Sequence, residues 1–105
     1  MHKEITDDEF VKEVEQGKGV VFVDFWAAWC GPCRMMAPVY EKIAAKYPQA
    51  NFFKVDTTTQ MEKASQYGVS GIPCIIVFKA GKEVGRIVGF RPEPAFEAEV
   101  KKYVQ

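Results

Sequence analysis

Apolar positions along this chain fall into two alternating kinds of pattern. Val20 through Trp26 is a β-branched and aromatic run without polar alternation, which predicts a central strand covered on both faces, and Asp24 is its one misfit. Between about Cys33 and Tyr47, the residues Met36, Val39, Tyr40, Ile43, Ala44 and Tyr47 recur at helical spacing. Pro38 removes an amide donor inside that helix, and Pro48 follows its end. A second apolar run, Asn51 to Asp56, contains Lys54, and Met61, Ala64 and Tyr67 then suggest a short helix before Gly68.

The flanks continue the alternation. Upstream, Thr6 and Glu9 have capping-box spacing, and Phe10, Val11 and Val14 place apolar groups on one side of a short helix ending near Gly17. Downstream, Cys74 to Phe78 and Glu83 to Val88 flank Lys79-Ala80-Gly81-Lys82, a connection with a glycine available for positive φ, so the pair is predicted to be an antiparallel hairpin. Pro92 and Pro94 suit the first turn of a last helix whose buried stripe is Phe96, Val100, Tyr103 and Val104. The sum is an α/β chain: a mixed sheet with parallel crossovers in its first half, an antiparallel hairpin in its second, and helices on both faces.

Length makes residues 1–105 one domain, because 105 residues leave no room for a second core. Hydrophobic content of 48% and aromatic content of 13% argue against disorder. Fourteen basic residues balance fourteen acidic ones, so the broad positive field that non-specific nucleic-acid binding needs is absent, and no nucleic-acid partner is expected. The most apolar stretch, Val20 to Cys30, falls well short of the roughly 20 residues that span a bilayer, so no membrane association is expected. The polar, acidic N-terminus does not read as a secretory signal, which makes a cytoplasmic location the expectation.

Chemistry concentrates at Cys30-Gly31-Pro32-Cys33, which follows the first long strand directly and opens the helix. A zinc half-site would need two further ligands, yet only Cys74 and His2 remain, and they are not a closely spaced pair. Haem attachment fails because Arg34 stands where a histidine is required. A purely structural disulfide over so short a loop gives about 2 kcal/mol in the chain-entropy treatment, less than a long cross-link supplies. Redox exchange is the favoured reading, with metal binding and stapling as the alternatives. A free thiol is only about 3% thiolate at pH 7, and the unsatisfied amides at a helix N-terminus favour the anion. Cys30 occupies that place, while Cys33, inside the helix, should be more shielded and positioned to attack a mixed disulfide at Cys30.

Several separated motifs together make the chain resemble the thioredoxin family over essentially its whole length. They are Val23-Asp24-Phe25-Trp26-Ala27-Ala28-Trp29-Cys30-Gly31-Pro32-Cys33, then Ala37-Pro38, Lys54-Val55-Asp56, Tyr67-Gly68-Val69, Gly71-Ile72-Pro73, Phe78-Lys79-Ala80-Gly81 and Val88-Gly89. The resemblance implies a thioredoxin fold and a general protein disulfide reductase. It makes Cys30 the nucleophile, Cys33 the resolving thiol and Pro73 a cis proline facing the disulfide. It places Trp29, Gly31, Pro32, Ile72, Pro73 and Gly89 around a groove for substrate chains. Partners would be thioredoxin reductase as electron donor and disulfide-containing substrate proteins, with no bound cofactor, no metal and a monomeric state. A disulfide oxidase or isomerase, and a partner-binding scaffold on the same fold, are the alternative functions.

Individual residues can be weighed against plainer readings. Desolvation in an apolar strand should raise the pKa of Asp24, and on physical grounds a buried, hydrogen-bonded structural carboxyl is the plainer role. The resemblance instead makes Asp24 assist proton removal from the resolving thiol, with Lys54 close by; a solvated strand-edge lysine is the alternative there. Trp29 would ordinarily be assigned to the core, and the resemblance moves it to the surface. Trp26 is expected in the core, Met35 and Met36 as one surface and one core residue, and His2 in a frayed terminus without a role. Cys74 and Phe90 depart from the family pattern, which usually carries threonine and a small residue there. Cys74 is expected to be a small buried apolar side chain.

Overall fold

The computed structural model describes residues 2–105. Five strands form one mixed sheet in the order β1-β3-β2-β4-β5. They are β1 (His2–Glu4), β2 (Val20–Trp26), β3 (Asn51–Asp56), β4 (Cys74–Lys79) and β5 (Lys82–Val88). Strand β3 pairs in parallel with both β1 and β2, whereas β4 is antiparallel to β2 and to β5. The predicted parallel crossovers and the predicted hairpin are therefore both present.

Among the described residues, four α-helices connect and cover the strands: α1 (Asp7–Phe10), α2 (Gly31–Lys46), α3 (Glu62–Gln66) and α4 (Glu93–Val104). Thr6 and Glu9 close the capping box at the start of α1, each side chain bonding the other residue's backbone N–H. The helix then widens into a π-helical turn, Val11–Glu15. On one sheet face, Phe22, Phe52, Ile75, Val77 and Ile87 pack with Met36, Tyr40 and Ile43 of α2 and with Phe96 and Val100 of α4. On the other, Val21, Val23, Phe25, Val55, Ile76 and Phe78 pack with Phe10 and Val14, and Ala64 and Tyr67 complete the layer. Each fully buried aliphatic or aromatic side chain contributes about 1.5–3 kcal/mol, so the two layers together hold the sheet against its helices.

Helix α2 is fixed over the sheet by Tyr40. Its ring is fully buried, and its hydroxyl lies 3.1 Å from the Phe22 carbonyl oxygen and 2.7 Å from that of Phe53. The side chain thereby ties the middle of α2 to the two central strands and holds the start of the helix over their ends.

Three expectations need correction. The N-terminus is not frayed: His2 to Glu4 pair with Phe52 to Lys54 as an edge strand, and His2 Nε2 lies 3.8 Å from a Glu41 carboxylate oxygen. Short polar segments carry no hydrophobic alternation, so this strand left no pattern to read. Met61 is exposed and precedes α3, so it does not belong to an apolar stripe there. The hairpin turn is tighter than four residues, since the strands continue to Lys79 and Lys82 and leave only Ala80 and Gly81, both at positive φ (51° and 82°). Positive φ at both central positions matches the right-handed twist of the flanking strands.

Candidate active site

Strands β1, β2 and β3 all end on the same side of the sheet, and the loop leaving β2 carries Trp29 and Cys30 to the N-terminus of α2. Cys30 is the N-cap of that helix, with φ −90° and ψ 111°. Its sulfur accepts the backbone N–H of Cys33 at 3.2 Å, occupying the place that an oxygen takes in a serine or aspartate cap. An anion on this sulfur would meet the same donor and the positive end of the helix dipole.

Cys30 and Cys33 are joined in a disulfide with Cα atoms 5.2 Å apart, inside the range such a bridge requires. Cys33 is 3% exposed and Cys30 5%, so overall burial barely separates them, and their positions on the helix distinguish them instead. Pro32 sits in the first helical turn, where its missing N–H costs nothing. Arg34 folds back to donate from Nη1 to the Ala28 carbonyl oxygen at 2.8 Å, bracing the loop before the cysteines.

Trp29 is 72% exposed beside the pair, as the resemblance implied and burial statistics did not. Cys30 Sγ lies 3.7 Å from the carbonyl oxygen of Ile72, and the Ile72–Pro73 bond is cis. Gly89, at φ 93°, donates its N–H to the Pro73 carbonyl oxygen at 2.8 Å and so ties the end of β5 to this loop. Trp29, Gly31, Pro32, Ile72 and Gly89 all reach the surface, whereas Pro73 is buried. Phe90 turns away from that rim and packs against the core formed by α2 and α4.

Asp24, on β2, is 1% exposed, and neither of its carboxylate oxygens has a hydrogen-bond partner among the described residues. The expected hydrogen-bonded structural carboxyl is thus not what the strand contains. Asp24 lies on the sheet face that α2 covers, since Phe22, two positions earlier, packs there. Burial is the main influence and pushes its pKa up to about 7; the Lys54 charge opposes this and the Glu4 charge adds to it. Lys54 is itself 8% exposed and stands opposite Asp24 in the β2–β3 register, which excludes a solvated edge position. Its ammonium lies 4.9 Å from the centroid of the Trp26 ring.

Trp26 is half-buried rather than part of the core. It packs against Ala27, Cys30 and Cys33 while its indole N–H donates to Glu4 Oε1 at 3.3 Å. Glu4 was not singled out by sequence pattern, because its relevance follows from the edge strand that pattern could not register. A cleft of about 470 Å³, lined by Glu4, Ile5, Thr6, Trp26, Asp56, Thr59 and Gln60, opens at this end of the sheet. It includes none of the residues expected to contact substrate. Cys74 is fully buried and free, and burial raises its thiol pKa. Met36 is buried and Met35 exposed, as expected. Among the described residues, no group of three or more His, Cys, Asp or Glu side chains could hold a metal ion, and no helix is long and apolar enough to cross a membrane.

Comparison with known proteins agrees with the geometry. The thioredoxin family model matches residues 1–102. Thioredoxins of Staphylococcus aureus strains Mu50, MW2 and USA300 are each 48% identical over 90 residues, covering 85% of this chain and 85% of theirs. The chain belongs to the thioredoxin family and is a protein disulfide reductase.

Proposed function

We propose that Cys30 is the attacking thiol and Cys33 the resolving one. In the reduced protein, the Cys30 thiolate attacks one sulfur of a substrate disulfide, forming a mixed disulfide and releasing the other substrate sulfur as a thiolate. Cys33 then loses its proton and attacks Cys30, which expels the second substrate thiolate and leaves the Cys30–Cys33 bridge. Two electrons pass to the substrate, whose two thiolates take up protons. The observation that carries this assignment is the N-cap position of Cys30, with the Cys33 N–H directed at its sulfur.

Asp24 takes the proton from Cys33 and becomes the neutral acid, and the Lys54 charge favours the ionised carboxylate that accepts it. A carboxyl with a pKa of about 7 suits this task, because it is ionised enough to accept a proton at neutral pH and basic enough to keep it. Trp29, Gly31, Pro32, Ile72, Pro73 and Gly89 form the substrate-contact surface. Trp29, Gly31, Pro32, Ile72 and Gly89 reach the surface, with Pro73 buried, and such an open rim suits extended protein chains better than a small molecule. Electrons arrive from thioredoxin reductase, and the exchange needs no cofactor beyond the cysteine pair. The protein works in the cytoplasm as a monomer of one domain, 1–105.

Insulin reduction by dithiothreitol tests the catalytic assignment. The wild-type chain should accelerate precipitation of the reduced insulin B chain, and Cys30→Ser should not. Equal acceleration by both would remove Cys30 from the reaction.

A further inference from the structure

Glu4 ends the edge strand β1, and the sheet register sets it beside Lys54, which in turn stands beside Asp24. The same row continues through Ile75 and Ile87, so it crosses all five strands on the face that α2 and α4 cover. One ammonium is thereby flanked by two carboxylates. Trp26 fixes the arrangement, since its indole N–H holds Glu4 Oε1 at 3.3 Å while the Lys54 ammonium sits 4.9 Å from the centroid of the same ring.

We infer that Glu4 is a positioning residue for the exchange reaction: its negative charge, acting on and across Lys54, raises the proton affinity of Asp24 and so sets the pH at which Asp24 accepts a proton. The inference rests on the reading of Asp24 as the proton acceptor for Cys33. Two strand spacings separate the backbones of the two acids by roughly 10 Å. Across such a row a second negative charge is disfavoured, and a lysine attracted toward Glu4 offers less positive potential to Asp24. The ordering of influences on Asp24 has the same sign, burial raising its pKa first, Lys54 lowering it and Glu4 raising it.

Other charged groups face this row. His2 and Asp56 act on Glu4, and Glu41 of α2 lies beside His2. Tyr40 of α2 and Cys74 of β4 both feel the Asp24 charge. Cys30 and Cys33 pack against Trp26 and do not titrate while bridged. Glu4 borders the 470 Å³ cleft, so water screens its outer side and limits the size of the effect.

Carbon-13 NMR titration of the Asp24 carboxyl in the full-length disulfide form, from pH 4 to 9, tests the coupling without thiol titration. Glu4→Gln should lower the Asp24 midpoint by about half a pH unit, and Glu4→Lys should lower it further. Glu4→Asp, which keeps the charge, should hold it near the wild-type value. The spectra report at once whether each variant is folded. An unchanged midpoint in both Glu4→Gln and Glu4→Lys overturns the inference, whatever Asp24 does in catalysis. The pH profile of the resolving step should move to lower pH with the midpoint. A midpoint that moves while the profile stays fixed overturns the role of Asp24 as proton acceptor, and with it the catalytic meaning given to Glu4.

Discussion

Asp24 and Lys54 stand directly opposite each other on the two central parallel strands, 1% and 8% exposed. An acid and a base excluded from water near the ends of β2 and β3 are costly in a small fold, and groups perturbed in this way cluster at functional sites. Their adjacency moderates the cost without removing it, because burial still outweighs the lysine charge and leaves the Asp24 pKa near 7.

Stability should therefore depend on pH through Asp24. Its folded pKa of about 7 lies above the ordinary carboxyl value, so the folded state binds the proton more tightly than the unfolded chain. The associated stability is fully present below about pH 4 and is lost as pH rises through 7. Asp24→Asn should remove that loss and stabilise the protein at pH 8 by about 1–3 kcal/mol, with the gain shrinking toward pH 4. Urea unfolding at the two pH values measures it. A gain of equal size at both would show that ionisation of Asp24 is not the cause.

The same substitution should slow resolution of the mixed disulfide on the order of 10²-fold at neutral pH. In the wild type, the rate of that step should climb through pH 7 as Asp24 ionises, and in Asp24→Asn this limb should be missing. Stopped-flow tryptophan fluorescence, reporting from Trp26 and Trp29 beside the pair, follows it. Superimposable profiles from pH 6 to 9 would exclude Asp24 from the mechanism.

Gly81→Ala should lower stability by about 2–3 kcal/mol while leaving exchange intact. Gly81 has φ 82°, and a Cβ there would overlap the backbone carbonyl of Glu15 at the end of the π-helical turn. Backbone cannot yield as a flexible side chain would. Thermal unfolding should show a drop of roughly 10 °C or more for a chain of this size. An unchanged transition would mean that the hairpin tip and the π turn do not meet as described.

Cys74 should stay out of the redox cycle. It is fully buried among Phe25, Ile76 and Phe78, and burial raises its thiol pKa, so little of it is the reactive thiolate. Mass mapping after mild oxidation should find the Cys30–Cys33 bridge alone, and a bulky alkylating reagent should not label Cys74 in the native oxidised protein. A substantial Cys30–Cys74 bridge would make the third thiol functional.

Much of this arrangement was legible where a residue's own neighbours in sequence decide its structure. The run Val20–Trp26, the run Asn51–Asp56 and the Thr6–Glu9 capping box all appear with the boundaries their patterns imply. Cys30 at a helix N-terminus followed from a strand ending and a helix beginning within four residues. What escaped depends on distant contacts. Strand β1 exists because its backbone pairs with β3, and its polar side chains give no sign of that. The N-terminus of α3 is capped by Asp7 of α1, whose carboxylate accepts the N–H groups of Glu62 and Lys63, a partner that local sequence does not name. Trp26, expected in the core, is half-buried instead, because its indole N–H donates to Glu4 at the surface. Asp24 was readable as buried but not as unpaired, since that depends on what every neighbouring strand offers.

The most direct test of the account is to trap the reaction at its midpoint. Cys33→Ser keeps the helix-capping sulfur and removes the group that resolves it, so incubation with a disulfide-bonded substrate protein should accumulate a covalent adduct. Peptide mapping of that adduct under non-reducing conditions should place the substrate sulfur on Cys30, while Cys30→Ser under the same conditions should yield almost none. Adducts recovered through Cys33 in Cys30→Ser, with Cys33→Ser remaining free, would contradict the assignment of Cys30 as the attacking thiol.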